Sequence, residues 1–269
     1  MDRHPFTQCS VSVTMAGRNV VLTAVPGVPL IEPGDDLGAI LIDSLKRSNI
    51  APRDSDVLVI AQKIVSKAEG RYIDLSEVVP SARAIELAAS VQKDPRIIEV
   101  ILAESQEVVR HAPGVLIVTH RLGFVMANAG VDQSNIEHPD GERALLLPEN
   151  PDASCAALKT RLDRAFNADL GIVINDSFGR PWRNGVVGVA LGAAGLPALL
   201  NLIGAPDLFG RALLRTEVAL ADEIASAASL VMGQSDDGLP LVHVRGLAWD
   251  APANNGAALL RAKEQDLFR

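Results

Sequence analysis

The 269-residue chain carries a formal net charge of −8, which argues against non-specific binding to nucleic acid or an anionic membrane. Aromatic residues are only 3% of the whole, too thin a supply for the stacking platforms that grip single strands. The two cysteines, Cys9 and Cys155, sit in neither a CxxC nor a His-adjacent spacing, so they make no disulfide framework or zinc cluster and read as free thiols in a reducing compartment.

The N-terminus has no apolar core of the kind a signal peptide needs, so a cytoplasmic location is expected. "VVLTAV" (20–25) is the first predicted strand. "PGVPLIEPGDD" (26–36) follows, a rigid bent lead-in to the helix of "DDLGAILIDSLKRSN". A second buried strand, "VLVIA" (57–61), runs into "AQKIVSKAEG" (61–70), which holds Lys63, Ser66 and Lys67 at the strand's end. "SARAIELAASVQKDPRIIEVILAESQEVVR" reads as two helices, the second opened by Asp94 as cap and Pro95 as first residue. "VLIVT" (115–119) and "GFVMA" (123–127) are short strands before "NAGVDQSN" (128–135). The Pro- and acid-rich stretch 135–154 is the best candidate crossing between two subdomains. "NPDASCAALKTRLDRAFN" is an amphipathic helix and "GIVIN" (171–175) a buried strand. "VVGVALGAAGLPALLNLIG" (186–204) approaches membrane length, but Pro197 and Asn201 interrupt it, so it is expected as a buried, broken helix. The helix of "ALLRTEVALADEIASAASLVM" and the strand "LVHV" (241–244) complete an α/β (α+β) chain.

The glycine signatures of nucleotide binding are absent: there is no G-x-x-x-x-G-K-[ST] and no strand-borne G-x-G-x-x-G. Chemistry gathers instead in polar clusters at the ends of apolar runs. The 26–36 loop is either purely structural or a source of backbone N–H groups for a ligand. Lys63 and Lys67 suit a phosphate as point charges, or solvent. In "NAGVDQSN", Gly130 supplies a bend, Asp132 is a hard oxygen donor for Mg²⁺ or Mn²⁺, and Asn135 is a ligand hydrogen-bonder; alone, the stretch is an ordinary turn. "NDSFGRPWRNG" (175–185) is the most informative. An apolar strand delivers Asn175, Asp176 and Ser177 at its exit, and Arg180 and Arg183 add guanidinium forks around Trp182. The five histidines are scattered, with no Ser–His–Asp or Cys–His set.

In their order, "PGVPLIEPGDDL", "VIAQKIVSKAEGR", "RLGFVMANAGVDQSNI", "LLLPENPDASCAALK", "IVINDSFGRPWRNGVVGVALGAAGL", "TEVALADEIASAASLVMGQ" and "VRGL" resemble the coenzyme F420-0:L-glutamate ligase family in its stand-alone form. The resemblance implies a two-subdomain α/β ligase fold without a Walker loop, in an intertwined homodimer. The ligase-like domain would span 21–250, with 1–20 an N-terminal extension and 251–269 a C-terminal tail. It implies GTP as co-substrate and Mg²⁺ or Mn²⁺ at two sites, with K⁺ a further candidate. Carried over by residue, Asp132 and Asp176 become metal-binding carboxylates, and Ser177 supports a second metal. Val28, Pro29, Leu30 and Ile31 contact nucleotide through backbone, and Gln62, Lys67 and Asn135 are further nucleotide contacts. "MGQSDDG" adds Met232, Gly233 and Gln234, the last also a metal ligand. The implied reaction activates the F420-0 carboxylate as an acyl phosphate and couples it to the amine of glutamate. Asp132, Asp176, Arg180 and Arg183 form the catalytic set, the arginines orienting acceptor or glutamate. Two alternatives stand beside this: an amide ligase of the same fold with another carboxylate acceptor, and a non-catalytic nucleotide- or deazaflavin-binding protein.

Overall fold

The computed structural model describes residues 19–137 and 142–267. In chain order the first half holds β1 (Val21–Ala24), α1 (Leu37–Arg47), β2 (Val57–Ala61), α2 (Gln62–Ala68), β3 (Tyr72–Asp74), α3 (Ala82–Val91) and α4 (Pro95–Ala103). A meander follows, β4 (Ser105–Ala112), β5 (Val115–His120) and β6 (Val125–Ala127), and then β7 (Arg143–Leu145) and α5 (Pro151–Phe166). The long hairpin β8 (Gly171–Arg180) and β9 (Arg183–Ala194) precedes the short pair β10 (Leu200–Asn201) and β11 (Glu217–Val218), α6 (Leu220–Met232) and β12 (Leu241–Arg245).

The main sheet has five strands in the order β1-β12-β2-β8-β9. β12 runs antiparallel to both β1 and β2, while β8 is parallel to β2. Strands β1, β2 and β8 therefore point the same way, and their C-terminal ends open on one edge. "VLVIA" is buried on both faces because it lies at the sheet's centre. Leu58 and Ile60 pack with α1, α2 and α5, whereas Val57 and Val59 pack with α6 on the other face. The helices start where the sequence signals place them. Asp36 caps α1 by accepting from the Ala39 amide, Asp94 caps α4 ahead of Pro95, and Asn150 caps α5 ahead of Pro151. A separate apolar cluster binds α3 and α4 to β5, and another joins α4 to the β3–β7 ribbon.

Four expectations change. The helix expected over 212–232 begins only at Leu220, because Glu217–Val218 pairs with β10 as β11. The 186–204 run is not a broken helix: its first part is β9, a strand of small residues pressed between helices. A Cβ on Gly188 would lie 2.4 Å from the Ala225 carbonyl oxygen of α6, and one on Gly192 would lie 2.5 Å from the Pro151 backbone of α5. The alternation that marks a strand is blurred there because both faces are covered. Residues 105–112, expected as the end of a helix, form β4, because β5 offers its edge to this β-branched segment. The 135–154 stretch, apart from 138–141, is not a free crossing; Arg143–Leu145 pairs with β3, and Leu145–Leu147 are buried. Residues 251–267 fold back on the body, where Asp152 accepts the Gly256 amide at 2.7 Å and Leu260 packs on the main core. Cys155 is a buried free thiol, while Cys9 and residues 1–18 of the expected extension lie outside the described residues. Among the described residues no helix is long and apolar enough to cross a membrane.

Candidate functional site

The parallel strands β1, β2 and β8 end together at the rim of a cleft of about 430 Å³, the place where α/β sheets hold ligands. The β1–α1 loop brings Val28, Pro29, Leu30 and Ile31 to one wall. Gln62, Lys63 and Lys67 come from α2, which starts as β2 ends, and Asp176 and Ser177 come from β8. Met232, Gly233 and Gln234 arrive where α6 stops and the chain turns toward β12. Asn135 closes the ring, its amide donating to the Ser235 carbonyl at 3.1 Å across the mouth. All ten residues expected to contact nucleotide thus line one cavity. The amide of Gln62 is turned inward, donating to Ser66 Oγ at 2.7 Å.

Asp132 is placed by an unusual piece of backbone. Asn128, Ala129 and Gly130 are all left-handed, with φ of 54, 52 and 67°, a conformation costly for residues with a Cβ. Gly130 is required here, since a Cβ would lie 2.6 Å from Leu147 Cδ2. Asp132 then exchanges both backbone hydrogen bonds with Leu145, which ties it to the β3–β7 ribbon. Its carboxylate meets Lys63 Nζ at 2.8 Å and accepts from the Ser134 amide at 2.8 Å. Burial pushes the Asp132 carboxyl up, but Lys63 and Ser134 outweigh it and hold the group below the usual range.

Asp176 behaves oppositely. Burial pushes it up to about 6 and the charge of Asp132 pushes the same way, while the Ser177 amide and Lys63 oppose. Two carboxylates that repel across a shared space, one of them neutralised by an ammonium, make a place that favours a cation. Asp176, Ser177 and Gln234 line the cleft and Asp132 adjoins it through Lys63, and oxygen donors of this kind suit Mg²⁺ or Mn²⁺. Among the described residues no group of three His, Cys, Asp or Glu is assembled for a metal, so two carboxylates would need ligand oxygens and water to complete the shell. Lys67 donates to the Asn135 carbonyl at 2.8 Å; burial and the neighbouring Lys63 hold its ammonium below the ordinary value, against the pull of Glu137.

Arg180 and Arg183 are not brought to this cavity. They face each other across the tip of the β8–β9 hairpin, exposed, on either side of Pro181 and a left-handed Trp182. The sequence pattern "NDSFGRPWRNG" hides this because one strand runs unbroken through the site and beyond it. Lys63 is the residue the sequence reading underweights. It stands four residues before Lys67 on α2, and that spacing, one helical turn after a strand's end, was the available signal. Asn175 also reaches the wall. Its Nδ2 donates to Ser229 Oγ at 3.1 Å, and its buried Oδ1 has no hydrogen-bond partner among the described residues.

Comparison with known proteins bears on this geometry. Residues 27–246 match the family model described as F420-0:gamma-glutamyl ligase. A protein of Methanothermobacter thermautotrophicus named coenzyme F420:L-glutamate ligase is 44% identical over 252 residues, 93% of this chain and 99% of its own length. One of the same name from Methanopyrus kandleri is 46% identical over 249 residues, covering 90% of this chain and 96% of its own. Another from Archaeoglobus fulgidus is 42% identical over 246 residues, 91% and 94% of the two chains.

Proposed function

The chain belongs to the F420-0:gamma-glutamyl ligase family, and on that premise we propose that it joins L-glutamate to the carboxylate of F420-0, using GTP and a divalent cation. The observation that carries the reading is the cleft at the strand ends, where Asp176, Lys63 and Lys67 share the wall and Asp132 stands behind Lys63, close enough to raise the Asp176 carboxyl. Anionic carboxylates and cationic lysines side by side suit a metal–triphosphate, whose cation and phosphates need both signs.

The proposed chemistry has two steps. A carboxylate oxygen of F420-0 attacks the γ-phosphorus and GDP leaves, giving an acyl phosphate. The amine of glutamate then attacks the acyl carbon, phosphate departs, the amine's proton is lost, and an amide remains. A divalent cation, when bound, neutralises the phosphate charge that builds up in the first step. Asp132, Asp176, Ser177 and Gln234 would hold it, with K⁺ a further candidate beside Mg²⁺ or Mn²⁺. The β1–α1 loop and the 232–234 turn enclose the nucleotide, and Lys63 exchanges Asp132 for phosphate oxygen. This is positioning and charge neutralisation, with no covalent enzyme intermediate.

The separate cluster of α3, α4 and β5 supports a two-subdomain organisation. Exposed apolar residues, Trp182 on the hairpin tip and Leu208 and Phe209 in the β10–β11 connection, support a homodimer. In such a dimer Arg180 and Arg183 would serve beyond their own cleft. A GTP-dependent reaction together with the free thiol of Cys155 suits the cytoplasm, the proposed location. Incubation with GTP, Mg²⁺ or Mn²⁺, glutamate and F420-0 should give a product heavier by one glutamyl unit and stoichiometric GDP. GDP release with another carboxylic acid, and none with F420-0, would transfer the assignment to a ligase of different acceptor.

A further inference from the structure

The reaction proposed above needs room for three molecules, and the nucleotide cleft has room for little more than one. Its volume of about 430 Å³ is near the lower end of ligand pockets, ~300–1,000 Å³. The acceptor must bind elsewhere, within reach of Asp176.

A second cavity, of about 830 Å³, lies beside α5 at the free edge of the main sheet. Much of its wall is small and apolar, from Ala153 and Ala156 of α5, Ala193 and Ala194 of β9 and Ala257 of the C-terminal segment, while Asn150, Asp152, Asn254 and Asn255 add polar groups. Leu122, Phe124, Leu191 and Leu260 close its sides. The cavity is built, not incidental. The Asp152 carboxylate accepts the amides of Ala193 at 2.9 Å, Gly256 at 2.7 Å and Ala257 at 3.1 Å, which locks β9 and the C-terminal segment onto the start of α5. Asn254 holds Leu199 through both its amide atoms, at 2.9 Å each. The segment "LLLPENPDASCAALK" belongs to the resemblance, yet gives the nucleotide cleft no wall; Asn150 through Ala153 and Ala156 line this cavity instead.

One wall of the cavity also packs against the strand that carries Asp176. Phe124, on its wall, packs edge-on against Phe178 with centroids 6.1 Å apart. Phe178 lies two residues beyond Asp176 on β8, roughly 7 Å along the strand and on the same face. Leu191 is the extra residue of a β-bulge: Ile174 pairs with Gly192 and Asn175 with Ala190, so β9 kinks where cavity and site approach.

We propose that this cavity binds the flat aromatic body of the acceptor, the deazaflavin ring on the reading above, while its flexible tail passes the Phe124–Phe178 pair to bring the carboxylate to Asp176. Small side chains leave a slot that a planar ring fills, and Phe124 offers it an aromatic surface, with Phe178 packed behind.

Ala156→Trp and Ala257→Trp test this, because both positions are exposed and face the cavity, so a large side chain blocks it without entering the core. Each variant should raise KM for F420-0 at least tenfold, with KM for GTP and the melting temperature unchanged. Unchanged KM for F420-0 in both variants would overturn the proposal. If the wild type forms no glutamyl product, the functional reading fails, and titration with the free deazaflavin ring decides the cavity on its own. Ring fluorescence that responds to wild type and not to Ala156→Trp upholds the site. No response to wild type, or an equal response to both, refutes it.

Discussion

Asp176 combines a raised carboxyl, pushed to about 6 by burial and by Asp132, with a place at the mouth of the cleft. The fold therefore keeps an anion where an anion is costly, which is the mark of a site rather than of a stabilising contact. Asp176→Asn keeps the shape and removes the charge. The variant should lose at least a hundredfold in kcat, yet melt no lower than wild type when metal is absent. A drop of several degrees in the metal-free melt would make Asp176 structural. Part of this site was legible in the residues themselves: Asp132, Asp176 and Lys67 stand at strand ends in polar clusters. Arg180 and Arg183 look close to them because Arg183 stands only seven positions after Asp176, whereas an extended strand puts Arg180 roughly 13 Å from Asp176.

Elements reveal why the rest was harder to read. The strand β9 was hidden by its glycines, which look like helix breakers in a helix and like nothing in particular in a strand. Their reason is packing: Gly188 meets the α6 backbone, a contact that exists only once the sheet is covered. Gly188→Ala should cost about 1–3 kcal/mol through overpacking, measured as a lower urea midpoint at unchanged slope. Gly179, also on the hairpin, has open space around its Cβ position, and Gly179→Ala should be close to neutral. The turn from α4 into β4 centres on another hidden feature. Glu104 ends the helix and accepts from Arg71 and Arg121, each at 3.1 Å, with the buried His120 ring at 3.4 Å. Burial pushes Glu104 up, but His120, Arg121 and Arg71 outweigh it and bring it to about 2, against an ordinary value of 4.5. A depressed carboxyl stabilises the fold above its unfolded value and loses that contribution as pH falls. The slice, about 3 kcal/mol, should be fully present above pH ~5 and fade toward pH 2. Urea titrations at pH 6 and pH 3 should show it, and Glu104→Gln should flatten the difference.

At the scale of the whole molecule, the surface around the β10–β11 connection is out of keeping with a lone chain. Leu208 is 99% exposed, Phe209 83% and Leu214 80%, and Trp182 at the hairpin tip is 80% exposed. Single exposed apolar residues are ordinary, but Leu208, Phe209 and Leu214 on one connection indicate a surface that is covered in use. In the sequence Trp182 stands in a polar cluster, Leu208 and Phe209 after an apolar run, and Leu214 in an expected helix; none is marked as exposed, because exposure depends on which face the folded chain leaves open. A second copy of this chain is the simplest cover, as the apolar loops and the two arginines of the hairpin would then meet a partner. Light scattering of the wild-type protein should give about twice the monomer mass at micromolar concentration. Leu208→Ser with Phe209→Ser should shift it to monomer, and each exposed position tolerates the change without loss of core contacts. The hairpin arginines then gain a sharper meaning. If they act across the dimer, the monomeric double variant should lose turnover and still bind GTP, whereas Arg180→Ala in the dimer should lose turnover alone. A monomeric wild type with full activity would remove the arginines from the reaction and leave the nucleotide cleft to work within one chain.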